Sequence, residues 1–255
     1  MGTDYRLVCL MALLMCVQPD ECTEIIGGKE VRPHSLPYMA LLENAKGAPF
    51  CGGTLIDLRW VLTAAHCTNV KKVLLGVHSL SKPEKVYRQT RKVAHKFPHP
   101  CYDADSKTND LMLLKLDRKA KTTGAVHPLP LPSPTQDIPA GVACTIAGWG
   151  YTKNGGKMSD TLLRANVTVI GRDVCNSKDY YNLNPVITRD MLCAGFVDKT
   201  PVDTCSGDSG GPLVCQGVIR GVTSFGAACG MKKKPGVYAA LSKKHTEWIH
   251  KKIKI

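Results

Sequence analysis

Three short segments hold residues that could carry out nucleophilic catalysis. His66 lies in Leu-Thr-Ala-Ala-His-Cys, Asp110 lies in Thr-Asn-Asp-Leu-Met-Leu-Leu, and Ser209 lies in Asp-Thr-Cys-Ser-Gly-Asp-Ser-Gly-Gly-Pro. A serine hydroxyl becomes an effective nucleophile when an adjacent base accepts its proton and a third group orients that base. Because the three residues are far apart in sequence, the fold has to bring them together.

The other histidines are expected to have structural roles. They are His34, His78, His95, His99, His127, His245 and His250. His95 and His99 have the spacing of two metal ligands, but Pro98 between them argues against a helix that presents both to one ion. We therefore expect no metal and no cofactor.

The elements that position these residues are predicted to be mainly strands. The chain has 255 residues, of which 44% are hydrophobic and 22% charged, and this composition is typical of folded globular domains. Short runs rich in Val, Thr and aromatic residues alternate with turn signals, as at 60–63, 111–116, 166–170 and 217–225. The pattern favours an antiparallel all-β fold.

The last segment predicts a helix. Ser242 can cap its first turn, and Trp248, Ile249 and Ile253 follow at helical spacing with lysines between them. We expect residues 242–254 to form an amphipathic helix that docks on the body of the protein. A helix that lies on a membrane surface is the alternative, because lysine is plentiful there.

The first residues are typical of a secretory signal peptide. Arg6 precedes an apolar run at 7–17, which is shorter than the roughly 20 residues that a membrane-spanning helix needs, and polar residues follow at 18–21. We predict a signal peptide over 1–22, with a buried core helix as the alternative. No later segment is apolar enough to cross a membrane, so we expect a secreted protein without membrane association.

The charge is strongly positive, with a formal net value of +13. Residues 1–24 hold one arginine and four acidic residues, so their removal would raise the net charge to +16. A basic secreted protein attracts polyanions such as sulfated proteoglycans, and solubility alone is the alternative explanation. The lysine clusters lack interleaved aromatic residues, so nucleic-acid binding would be electrostatic and salt-sensitive.

Together the three catalytic segments resemble the chymotrypsin family of serine proteases, in the chain order His, Asp, Ser. The resemblance begins at Ile25 and implies one peptidase domain over 25–255. Its fold would be two antiparallel six-stranded β-barrels with a C-terminal α-helix. It also implies that Ser209 is the nucleophile, that His66 is the general base and then acid, and that Asp110 orients the imidazole.

The resemblance also implies an oxyanion hole and a specificity pocket. The backbone N–H groups of Gly207 and Ser209 would bind the developing oxyanion. Asp203 would lie at the base of the pocket, and its walls would be formed by Ser224, Phe225, Gly226 and Gly236. A buried carboxylate in a deep slot favours Lys or Arg side chains, so the expected substrates are proteins cleaved after these residues.

Activation is expected to depend on one cleavage. Ile25-Ile26-Gly27-Gly28 resembles the N-terminus that appears when family zymogens are cut, and the new ammonium of Ile25 would pair with Asp208. An enzyme that is selective for Lys or Arg does not cut after Glu24, so another protease is required. Residues 23–24 resemble a dipeptide that a dipeptidyl peptidase removes; a longer propeptide is the alternative.

Cysteine usage predicts disulfides within the chain and one cysteine left over, which is either a free thiol or bonded to another chain. Of the twelve cysteines, three precede Ile25, which leaves an odd number in the mature chain. The resemblance implies the pairs Cys51–Cys67, Cys144–Cys215, Cys175–Cys193 and Cys205–Cys229. The remaining residue, Cys101, lies in a stretch that resembles the granzymes, the granule-stored proteases of cytotoxic lymphocytes. This implies a disulfide-linked homodimer; a free or capped thiol is the alternative.

The sequence therefore predicts a granule-stored cytotoxic tryptase. A digestive or mast-cell-like trypsin and a monomeric granzyme are alternatives with the same chemistry, and a non-enzymatic protein that acts by charge is an alternative of another class. Asn166 begins the only Asn-x-Ser/Thr sequence, so it is a candidate for glycosylation.

Overall fold

The computed structural model describes residues 28–132, 137–151, 156–196, 207–226 and 233–254. The short strand β1 (Lys29–Glu30) precedes a closed antiparallel barrel of six strands. These are β2 (Met39–Glu43), β3 (Pro49–Asp57), β4 (Trp60–Thr63), β5 (Lys72–Leu75), β6 (Gln89–Pro98) and β7 (Met112–Leu116). Around the barrel they pair in the order β2-β3-β4-β7-β6-β5.

Six further strands close a second antiparallel barrel. They are β8 (Ala143–Gly148), β9 (Leu163–Ile170), β10 (Met191–Gly195), β11 (Pro212–Cys215), β12 (Val218–Phe225) and β13 (Gly236–Ala240). The ring order is β8-β9-β10-β13-β12-β11, and β1 pairs with β9 on the outside. Helix α1 (Arg172–Asn176) follows β9, and helix α2 (Lys243–Ile253) follows β13. The prediction of two six-stranded barrels and a C-terminal helix is confirmed.

Strand β9 illustrates how the sequence dictates these barrels. Its buried positions alternate with more exposed ones, so Leu163 and Ala165 face the core while Arg164 and Asn166 face solvent. This period of two is the geometry of a pleated strand with one covered face. The exposed position of Asn166 leaves its side chain available for modification.

One hydrophobic cluster joins the two barrels and α2. It contains most of the first barrel's buried residues, together with Val222 of β12, Ala239 of β13 and Ile249 of α2. A close-packed core resists small displacements. This cluster therefore holds the two barrels, and the loops that lie between them, in fixed positions relative to one another.

Helix α2 docks on the barrels as the sequence predicts. Ser242 is its N-cap and exchanges hydrogen bonds with His245 in a capping box. Ile249 is fully buried, and Trp248 and Ile253 pack against the core cluster. The apolar side of α2 is thus covered by protein. Within the described residues, no helix has the length and apolar character that crossing a membrane requires.

Three disulfide bonds join the cysteine pairs that the family resemblance implies. They link Cys51 to Cys67, Cys144 to Cys215 and Cys175 to Cys193. The fourth expected pair, Cys205 and Cys229, lies outside the described residues. Cys101 is exposed and has a free thiol.

Candidate active site

His66 and Asp110 meet because β4 and β7 are paired. These strands run antiparallel with Thr63 opposite Met112, so the end of β4 and the start of β7 lie at one edge of the barrel. His66 follows β4 and Asp110 precedes β7. Their side chains approach to 2.7 Å between Nδ1 and Oδ2, and the backbone N–H of His66 donates to Oδ1 at 3.0 Å.

The surroundings of Asp110 determine which imidazole nitrogen carries the proton. The carboxylate is fully buried, and the Ser224 hydroxyl donates to the same Oδ2 that faces His66. An ionised carboxylate only accepts hydrogen bonds, so His66 Nδ1 must be a donor here. In neutral His66 the lone pair is then on Nε2. The His66 side chain is 25% exposed. Nε2 is therefore available as a general base.

Ser209 lies in the turn before β11, and its backbone is fastened to the segment that holds His66. The N–H of Gly52 in β3 donates to the Ser209 carbonyl oxygen at 2.8 Å. The neighbouring Cys51 is bonded to Cys67, which directly follows His66. Cys67 Sγ lies 3.8 Å from the same carbonyl oxygen; since a disulfide sulfur carries no proton, this is a packing contact.

Gly210 allows the turn to approach the first barrel. Its φ is +81°, and a Cβ at this position would lie 2.1 Å from Thr63 Oγ1 and 2.5 Å from the Gly52 carbonyl oxygen. Any other residue would collide with these atoms. Gly210, which follows Ser209, therefore lies against Thr63 at the end of β4. Thr63 is three residues before His66.

Asp208 fixes the turn from the inside. Its side chain is buried, and Oδ1 accepts a hydrogen bond from the N–H of Gly150 at 2.8 Å. A Cβ on Gly148 would lie 2.0 Å from that oxygen, so two glycines make room for the carboxylate. The preceding Gly207 has a φ of +95°, which favours glycine. The Asp208 side chain thus ties the turn that contains Ser209 to the backbone at Gly150. Its proposed partner, Ile25, lies outside the described residues.

The described part of the predicted specificity pocket lies where β12 ends and β13 begins. Phe225 pairs with Val237 across these strands, so Gly226 and Gly236 lie side by side. The nearest atom to a Cβ built on Gly226 is the Gly236 Cα, at 3.9 Å. Neither residue carries a side chain that could fill the space between the strands. Asp203, the predicted base of the pocket, lies outside the described residues.

Asn109 and His245 form a buried network that the sequence analysis did not assign to the site. Asn109, next to Asp110, donates through Nδ2 to the Cys101 carbonyl at 2.8 Å and accepts through Oδ1 from His245 Nε2 at 2.9 Å. His245 Nδ1 lies 3.0 Å from Ser242 Oγ. The available signal was that His245 precedes the buried Ile249 by four residues, which places both on the inner side of α2.

Acid is expected to destabilise the protein through His245. Burial lowers the pKa of His245 to about 4; the nearby charge of Asp190 opposes this shift, and those of Lys244 and His99 add to it. A group whose pKa is lowered in the folded state stabilises the fold fully above its unfolded pKa of about 6.5, and this stability is lost as the pH falls towards 4. The expected loss in the free energy of unfolding at pH 4 is about 2–3 kcal/mol.

Thermal unfolding of the wild type and of His245→Gln at pH 7.5 and pH 4 measures this contribution. Glutamine can still donate to Asn109 but does not take up a proton, so the acid-induced drop in Tm should be smaller in the variant by about 5–10 °C. Equal drops in the two proteins would contradict the assignment.

His66 also lies close to two sulfur atoms. Cys51, His66 and Cys67 form a cluster of candidate metal ligands within 4.8 Å of one another. The two sulfurs are bonded to each other and cannot bind a metal as thiolates. This cluster therefore does not form a metal site, and His66 keeps its place beside Asp110.

Comparison with known proteins identifies this arrangement. A family model described as Trypsin matches residues 25–249, which is most of the chain and includes all three catalytic segments. The chain belongs to the trypsin family of serine proteases. Its pair of barrels and the hydrogen bond between His66 and Asp110 are those expected of a trypsin-family serine peptidase.

Similar trypsin-family proteins cover nearly the whole chain. Granzyme A of Bos taurus is 48% identical over 249 residues, which span 96% of this chain and 94% of the bovine protein. Kallikrein-4 of Homo sapiens is 40% identical over 236 residues, or 91% and 88% of the two chains. A solved structure of human heparin binding protein superimposes with a TM-score of 0.79 at 36% identity, covering 89% of this chain and 95% of its own.

Proposed function

We propose that the protein is a secreted, granule-stored serine endopeptidase that cleaves after Lys or Arg in the manner of a cytotoxic-lymphocyte tryptase. The observation that carries the catalytic part is the 2.7 Å hydrogen bond between His66 Nδ1 and Asp110 Oδ2, which leaves Nε2 free to take a proton. Residues 1–22 serve as the signal peptide and residues 23–24 as the activation dipeptide, which a dipeptidyl peptidase removes. Both segments lie outside the described residues.

The proposed reaction runs through an acyl-enzyme. Ser209 Oγ attacks the scissile carbonyl carbon while its proton passes to His66 Nε2, and the carbonyl oxygen becomes an oxyanion bound by the N–H groups of Gly207 and Ser209. Collapse of this intermediate breaks the C–N bond, and the amine leaves with the proton from His66. Water then attacks the acyl-enzyme carbonyl while His66 accepts its proton, and the second intermediate collapses to release the carboxylic acid product and Ser209. Asp110 stabilises the imidazolium in both halves.

Cleavage after Lys or Arg rests on the pocket. The adjacent glycines Gly226 and Gly236 leave room for a long side chain. The family resemblance implies that Asp203, six residues before Ser209, lies at the base of the pocket. A carboxylate in such a slot lacks a partner unless the substrate supplies a cation.

Replacing Asp203 with serine should therefore abolish efficient cleavage after Lys or Arg. The kcat/KM for an Arg peptide should fall at least about 10²–10³-fold, because the buried charge pair is lost. Labelling of Ser209 by an organophosphorus probe should remain, since the reactive groups are untouched. Unchanged turnover of a small Arg ester by Asp203→Ser would contradict the pocket assignment.

A granzyme-like role is supported by the 48% identity to bovine granzyme A and by Cys101. The Cys101 thiol is exposed while its backbone is fixed, because its N–H donates to His99 Nδ1 at 3.2 Å and its carbonyl accepts from Asn109. We propose that Cys101 links two copies of the chain. A granzyme K-like monomer lacks this link, and a digestive or mast-cell-like trypsin is disfavoured because Glu24 precedes the activation site.

The Cys101→Ser variant tests the dimer. The wild type should run as a disulfide-linked homodimer on non-reducing electrophoresis, and the variant should run as a monomer with unchanged hydrolysis of a small Arg ester. Reduction of the wild type should reproduce the pattern of the variant. A wild type that runs only as a monomer would contradict the proposal.

Storage on sulfated proteoglycan is proposed from the charge. The net charge is +13, and Lys72 and Lys92 lie opposite each other on β5 and β6. Lys71, just before β5, adds to burial in lowering the pKa of Lys96. The similar solved structure is described as a heparin binding protein, which supports the same kind of partner here. Glycosylation is proposed at Asn166, whose side chain is exposed on β9.

A further inference from the structure

A cavity of about 150 Å³ lies on the second barrel, where β13 ends and α2 begins. Four of its lining residues are apolar and four are polar: Ile138, Leu192, Ala240 and Leu241, and Asp137, Arg189, Arg220 and Ser242. These residues do not include any member of the triad, the proposed oxyanion hole or the proposed specificity pocket. The cavity therefore has no part in the proposed reaction.

The apolar walls suit a small hydrophobic group. Leu192, Ala240 and Leu241 are buried residues of the barrel, and Ile138 is half-buried at the side. A cavity of this volume with such a lining is large enough for a benzene-sized molecule. Covering these side chains would remove apolar surface from water and stabilise the complex.

The polar walls carry an excess of positive charge. Among the described residues, the guanidinium groups of Arg189 and Arg220 have neither an ion pair nor a hydrogen bond, and Arg220 Nε is buried without a partner. A buried N–H without an acceptor is unfavourable, because it has lost its hydrogen bonds to water. A ligand oxygen would satisfy it.

The acidic residue of the cavity does not cancel this charge. Asp137 already pairs with Arg172, which donates to both carboxylate oxygens. Asp190, which follows Arg189, pairs with Lys244. Ser242 is the N-cap of the eleven-residue α2, so the positive end of the helix dipole lies at the same end of the cavity.

We propose that this cavity is a binding site for a small apolar carboxylate, with the hydrocarbon group against the leucines and the carboxylate on the two arginines. A planar guanidinium matches the geometry of a carboxylate, because two parallel N–H groups can donate to its two oxygens. Inorganic sulfate would satisfy the arginines but leave the apolar walls uncovered. A neutral hydrocarbon would cover the apolar walls but leave the two arginines without a partner.

Benzoate is the probe for this site. Titrated into the isotope-labelled full-length protein, it should shift the NMR signals of the Leu192 and Leu241 methyl groups and of Arg220 Nε–H along one saturable curve. Benzoate should not enter the proposed specificity pocket, because Asp203 repels an anion. Benzamide, which has the same shape without the charge, and sulfate, which has the charge without the ring, should each bind at least about tenfold more weakly.

Arg220→Gln should weaken benzoate binding at least about tenfold, because one charge-assisted pair of hydrogen bonds is lost. Arg118→Gln is the matched control: it removes the same charge from an exposed side chain of the first barrel, and binding should be unchanged. If Arg220→Gln does not fold, as shown by lost hydrolysis of a small Arg ester, the exposed Arg189 supplies the same test. The proposal is overturned if benzoate causes no saturable shift, if benzamide or sulfate binds equally well, or if the variants that remove Arg220 or Arg189 bind benzoate like the wild type.

Discussion

Replacing Ser209 with alanine is expected to lower kcat for an Arg peptide about 10⁶-fold while the fold is retained. Alanine has no hydroxyl to attack the carbonyl, so the acyl-enzyme cannot form. The turn itself is held by contacts that do not involve Oγ, namely the Gly52 hydrogen bond to the backbone and the close approach of Gly210 to Thr63. The residual rate over water would come from the oxyanion hole and from substrate binding.

A control serine separates this effect from general damage. Ser177 is exposed beside α1, far along the chain from the triad, and Ser177→Ala should keep full activity. Under the proposed cytotoxic role, the Ser209 variant should also fail to kill target cells that the wild type kills. If it killed them with no detectable proteolysis, the protein would act by charge rather than as an enzyme.

Replacing Asp110 with asparagine is expected to lower kcat about 10⁴-fold. The backbone N–H of His66 donates to Oδ1, so the amide oxygen of asparagine would take that place and its NH₂ group would face His66 Nδ1. Nδ1 would then accept instead of donate, and the proton of the neutral imidazole would move to Nε2. A protonated Nε2 cannot take the proton of Ser209.

Ser224→Ala is the matched control for the asparagine variant. It removes one donor to the same Asp110 oxygen but leaves the carboxylate and the imidazole tautomer unchanged. Its kcat should fall by only about tenfold, in line with one lost hydrogen bond. A decrease of less than about tenfold for Asp110→Asn would show that the orientation of His66 by Asp110 is not needed.

The all-β fold could be predicted, and the three segments of the proposed triad could be recognised, because their signals are local. The segments around His66, Asp110 and Ser209 are each recognisable over a few residues, and their combination indicates one family. The predicted strand at 60–63 and helix at 242–254 correspond to β4 and α2 within one residue at each end. Both rest on short-range patterns of apolar residues, and tertiary packing reinforces them.

The supporting contacts could not be predicted, because they join distant residues. Asn109 and His245 are 136 positions apart, and only the hydrogen bond between α2 and the segment before β7 explains why a buried histidine is needed there. In the same way, Gly148 and Gly150 look like ordinary turn residues in the sequence. Their role is visible only when the Asp208 carboxylate occupies the space that a Cβ would fill.

The most direct test is to compare the protein trimmed to begin at Ile25 with the untrimmed chain, using a peptide library and an organophosphorus probe. The trimmed protein should cut after Lys and Arg and be modified at Ser209, and the untrimmed protein should do neither at a comparable rate. Trimmed, folded protein that left Lys and Arg peptides intact and Ser209 unmodified would contradict the assignment of His66, Asp110 and Ser209 as a working catalytic triad.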